Sequence, residues 1–188
     1  MPLGAARFGL LGGVADLGKL ELIETINLSG VSSANFTDIK ETQYDVHFMT
    51  VNNFIASNDN EQLRVRFYES GVEQSGNVYH YAYTYGSSGA VGFGDSNTTG
   101  NSALNISAST GNQLREVGNS VSYFYNLGDG GKYSSQTTIN TNIRSDGSFI
   151  MAYGVGQLPQ TSTVDELKVL VLNGTCSADV SLYGISKE

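Results

Sequence analysis

The chain has 188 residues, 39% of them apolar, with 23 glycines and two prolines, which suits one generous domain with a real core and excludes collagen-like or disordered chains. A net charge of −8 at pH 7 excludes the clustered Lys and Arg on which nucleic-acid binding runs. The lone Cys176 excludes an internal disulfide, which suits assembly inside a cell.

In chain order, the run Pro2 to Gly13 comes first. Its only basic residue, Arg7, lies inside the apolar stretch, and Gly4, Gly9, Gly12 and Gly13 interrupt it. That placement argues against a signal peptide, a membrane span of roughly 20 apolar residues, and a stable core helix. What remains is an extended docking arm over residues 1–18, with Leu3, Phe8, Leu10 and Leu11 as apolar anchors and Arg7 suited to an acidic groove. Residues 19–188 then form one β-domain.

Leu20, Leu22, Ile26 and Leu28 alternate with Glu21, Thr25 and Asn27, the period of a half-buried strand, broken at Ile23 and Glu24. Tyr44, Val46 and Phe48 alternate with Asp45, His47, Met49 and Val51, whose half-apolar face suits a strand covered on both sides. After a turn-forming stretch at 55–62, Leu63, Val65 and Phe67 alternate with Arg64, Arg66 and Tyr68. Tyr79, Tyr81, Tyr83 and Tyr85 follow at strict period two and share one face of any regular strand. Residues 86–100, almost entirely Gly, Ser, Asn, Thr and Asp, predict a long surface loop. Further strands are expected at 104–108, 121–127, 132–142, 149–155, 167–172 and 178–185, separated by turn signals that include 157–163. Residues 162–170 start with a cap and two acids, predicting one helical turn that leads into a strand. About ten short strands without a long amphipathic helix indicate a sandwich, jelly roll or barrel.

Candidate chemistry is sparse. His47 and His80 are the only histidines, and both are expected to be partly exposed strand residues. With one cysteine they offer no zinc site. No G-x-S-x-G elbow or phosphate-loop spacing occurs. The oxygen-rich stretches 57–61 and 94–97 lack the spacing of a calcium loop. The Asn-x-Ser/Thr acceptor patterns at Asn27, Asn35, Asn97, Asn105 and Asn173 are of the kind that arise by chance in a chain this rich in Asn, Ser and Thr. No catalytic residues and no cofactor or metal are expected. The tyrosine row has two explanations: a stacking platform for host-surface glycan, or a sheet face packed on the opposite sheet or a second subunit.

Three stretches carry a family resemblance: LGAARFGLLGG…LGKLELI, the run YDVHFMTVNNF…LRVRFYESG into VYHYAYTYG, and ADVSLYGISK. Together they resemble small virion structural proteins of tailed bacteriophages, of the tail-fibre-like or decoration type known from marine and cyanobacterial phages. The resemblance implies a jelly-roll-like antiparallel β-sandwich without catalytic residues, assembled in the bacterial cytoplasm and placed on the virion surface. It implies capsid, tail or baseplate partners reached through the arm, and a homo-oligomer, with a trimer as one form. The alternative is a host-glycan-binding module acting in adsorption. No long fibre shaft is present, which favours a peripheral or decorating place.

Overall fold

A computed structural model describes residues 19–89 and 92–185, and every regular element among them is a β-strand. Eight strands pair as one long hairpin folded over on itself. β1 (Leu20–Val31) pairs with β13 (Cys176–Ile185), and β2 (Ser33–Phe36) with β12 (Val164–Leu170). β3 (Val46–Ala56) pairs with β9 (Gly118–Tyr125), and β4 (Arg64–Glu69) with β8 (Leu104–Asn105). Antiparallel pairs β13–β3 and β12–β4 close this hairpin into two facing sheets. That winding is a jelly roll, as expected. The arm, with Leu3, Arg7, Phe8, Leu10 and Leu11, lies outside the described residues.

Two excursions elaborate the roll. β5 (Val72–Glu73), β6 (Tyr79–Ser87) and β7 (Phe93–Asn101) fall between β4 and β8, while β10 (Tyr133–Ile143) and β11 (Phe149–Thr161) fall between β9 and β12. β6, β7, β10 and β11 extend the larger sheet beyond β9 in the order β10-β11-β6-β7. Their inner face meets β8 and the segment that follows it.

Between the sheets, period-two alternation drives burial. Met49, Val51 and Phe54 of β3 and Val180 and Leu182 of β13 face Val65 and Phe67 of β4 and Val164, Leu167 and Val169 of β12. Each such side chain contributes roughly 1.5–3 kcal/mol of transfer free energy. The broken register of β1 is a bulge between Leu22 and Glu24. It turns Leu20 and Leu22 outward while Ile26 and Leu28 face inward, so these four leucine and isoleucine residues do not share one face.

Several expectations are corrected. Within 86–100, residues 86–87 and 93–100 are strand rather than loop: β7 pairs with β6 from Phe93 onward. An edge strand with little to bury needs no apolar alternation, and Gly94 is required because a Cβ there would run into the Tyr85 ring. The expected turn at 157–163 is mostly strand, since β11 runs on to Thr161 and Pro159 sits at a register shift opposite Tyr133 and Ser134. No helical turn precedes β12, where Val164 and Leu167 are already strand residues packed into the core.

His47 is fully buried rather than partly exposed, because the face it shares with Met49 and Val51 is the core face. Its Nε2–H donates to Ile39 O at 2.7 Å, and Nδ1 has no partner. Burial pushes the imidazole pKa below its ordinary value despite the Ile39 bond, so the folded protein holds it neutral. As pH falls through about 6.5, the unfolded chain takes up a proton that the fold refuses, and stability drops by up to ~1.4 kcal/mol per pH unit. Thermal melts between pH 5 and 7 should show this slope, and His47→Gln should flatten it. An equal slope in the variant would assign the effect elsewhere.

Candidate functional site

β6 is regular, so Tyr79, Tyr81, Tyr83 and Tyr85 share its inner face, with Tyr81, Tyr83 and Tyr85 opposite Gly156, Gly154 and Ala152 of β11. The four do not share one role. Tyr79 is fully buried and stands edge-on to Phe67. Its Oη accepts from Phe67 N–H at 2.8 Å and donates to Gln74 O at 2.9 Å, and burial pushes its ionisation well up. It belongs to the core, which removes it from the contact row.

Tyr81, Tyr83 and Tyr85 are half-buried and form one wall of a cleft of about 330 Å³. Tyr81 and Tyr83 stack with centroids 5.3 Å apart and planes 25° from parallel, and Tyr85 continues the row at 6.2 Å. The floor is Ala152, Gly154 and Gly156. Glycine is needed here: a Cβ at 156 would strike Leu104, and one at 154 would strike Tyr83.

The far wall is the segment 104–109. It is held by a polar row that sequence reasoning missed: Gln136, Thr138, Asn140 and Asn142, alternate inward residues of β10, all buried. Gln136 Nε2 donates to Asn105 O at 3.2 Å, and Thr138 Oγ1 to Ile106 O at 3.4 Å. Asn140 Oδ1 accepts from Ala108 N–H at 3.0 Å, and Asn142 Nδ2 donates to Thr110 Oγ1. Side chains thus do for this segment what a backbone ladder does elsewhere, satisfying groups that would be costly to bury alone. Its signal was visible as period-two Ser, Gln, Thr and Asn along 134–142.

Among the described residues lining the cleft, Arg144 is the one base and Asp95, exposed on β7, the one acid. Such a set can stack on a flat ligand face and bond to its polar edges. His80 is half-buried on the opposite face of β6 from the tyrosines. No group of three His, Cys, Asp or Glu among the described residues is placed to hold a metal ion. In the oxygen-rich stretches, Asp59 accepts from Asn112 N–H at 3.1 Å, and 94–97 is strand. No helix among the described residues is long and apolar enough to cross a membrane.

Comparison with protein-family models finds no match to this chain, and comparison with curated proteins finds none either.

Proposed function

We propose that the chain is a non-enzymatic surface component of a tailed-phage particle that binds host glycan in the tyrosine-walled cleft. One observation carries the ligand class: a row of three tyrosines, two of them stacked, faces a wall rich in amides and hydroxyls across a floor that is Ala152, Gly154 and Gly156 beside the row. A sugar ring has an apolar C–H face that suits an aromatic wall and hydroxyl edges that suit amides. The cleft volume is at the low end for small-molecule sites. The virion setting draws on the sequence resemblance.

The chain has 11 tyrosines and no tryptophan, so its emission is tyrosine emission, to which the three wall residues contribute. Titration with oligosaccharides of the host surface should give a saturable change in that emission. No binding in such titrations and none on a glycan array would overturn the proposal.

A second reading, homo-oligomeric assembly, is favoured by the polarity of β10 and β11. Along β11 the inward residues are Ile150, Ala152, Gly154 and Gly156, while Phe149, Met151, Tyr153 and Val155 point outward and are exposed. Ile139 of β10, opposite Tyr153, and Tyr123 of β9 continue the patch. The outward residues of β3, β9, β10 and β11 include no charged side chain. In an acidic chain, such a face is where a second copy meets least repulsion. Light scattering after size exclusion should find an oligomer, and Ile139→Lys with Tyr153→Lys should shift it toward monomer. A monomeric parent protein at micromolar concentration would contradict this assembly.

A further inference from the structure

We infer that the cleft selects a saccharide bearing an anionic group, a carboxylate or a sulfate, and that Arg144 is the residue that reads it. The inference rests on the saccharide cleft proposed above. Arg144 sits where β10 enters its turn to β11: its N–H donates to Ser148 O at 3.0 Å, and its carbonyl accepts from Gly147 N–H at 2.9 Å. The turn therefore fixes the backbone from which the side chain lines the cleft.

Among the described residues the Arg144 guanidinium forms no close ion pair, though its charge acts on the Asp146 carboxyl. Its Nε is buried and makes no hydrogen bond, and among the described residues no carboxylate lies within ion-pair distance. Five other cations among the described residues are engaged: Arg66 and Lys168 with Glu73, Lys132 with Asp129, Lys40 with Asp38, and Arg64 with Asn105 and Gln62. The acid nearest in sequence, Asp146, is turned to Ser148, whose N–H and hydroxyl both donate to it. Those bonds, with a smaller contribution from the Arg144 charge, hold the Asp146 carboxyl below the usual carboxylate range. The one acid that lines the cleft, Asp95, lies on the strand beyond the tyrosine wall.

A buried guanidinium N–H without an acceptor is costly, and such a group in a native fold calls for an explanation. An anion entering the cleft supplies one once the Arg144 side chain turns its Nε–H, which solvent does not reach in this structure, toward the cleft. The planar fork of Arg matches carboxylate and sulfate oxygens with two parallel bonds. The tyrosine wall would then take the ring face while Arg144 takes the charge.

The test uses the full chain and three probes: an oligogalacturonate, the same oligosaccharide with its carboxyls methyl-esterified, and a sulfated galactan oligosaccharide. The acid should bind about 10-fold or more tighter than its ester, and the preference should shrink as salt rises. Arg144→Gln should bring the acid down to the affinity of the ester, with Arg144→Lys between them, both judged at matched melting temperature. Binding of the sulfated probe but not the uronate would assign the anion as sulfate. Equal binding of acid and ester, or a preference that survives Arg144→Gln, overturns the inference while leaving the saccharide cleft standing. No binding of any probe or of host oligosaccharide removes both.

Discussion

Replacing Tyr81 and Tyr83 together by alanine is expected to weaken saccharide binding by at least ~100-fold while leaving the protein folded. Truncating a packed aromatic at a binding site costs about 2 kcal/mol or more. Two independent losses of that size would multiply to ~1000-fold. The rings stack on each other at 5.3 Å, so each already loses part of its wall when the other goes, and the sum falls short of additivity. Both side chains are half-buried on the cleft, and Tyr81 also packs against the core, so the melting temperature should fall while the fold is kept. Calorimetry against the best-binding oligosaccharide decides it. Unchanged affinity in a stably folded double variant would remove the tyrosines from recognition.

The second large effect is on the far wall. Asn140→Ala with Asn142→Ala removes both acceptors of the Ala108 N–H, at 3.0 and 3.4 Å, and the donor to Thr110 Oγ1. That leaves one part-buried backbone N–H without an acceptor and Thr110 Oγ1 without its donor, at about 1–3 kcal/mol for each. A combined loss near 3 kcal/mol corresponds to a fall in melting temperature of about 6–12 °C for a domain of this size. Hydrogen exchange at the Ala108 amide locates the damage, because protection there should be lost before protection at Val180 of the core. A variant melting within a degree or two of the parent, with Ala108 still protected, would show that the segment is held by packing alone.

The jelly roll was legible where burial forces alternation. Val65 and Phe67, the tyrosine row and the closing strand through Val180 and Leu182 announce themselves because one face of each meets the core. Even the break at Ile23 and Glu24 in β1 was visible, although its result, two leucines turned outward, was not. What escaped is the excursion that builds the cleft. β7 is made of Gly, Asp, Ser, Asn and Thr at a sheet edge, where little apolar area is buried and periodicity carries no signal. The polar row of β10 escaped because inward-facing Gln and Asn make sense only with their hydrogen-bond partners, and those lie about 30 residues away in sequence. His47 and Tyr79 were placed on the correct strands, but burial to the last atom depends on which face the partner sheet covers.

The pairing of β1 with β13 has a mechanical consequence. Leu20 lies opposite Ile185, so the chain enters and leaves the described sandwich at one margin of the larger sheet. The tyrosines stand on β6, six strands further across, about 30 Å away at the usual interstrand spacing. Tension applied through the residues before Leu20 would pull at the margin remote from the cleft, peeling β1 from β13 while β6 and its neighbours stay paired. A load borne at that margin would leave the walls of the cleft undisturbed.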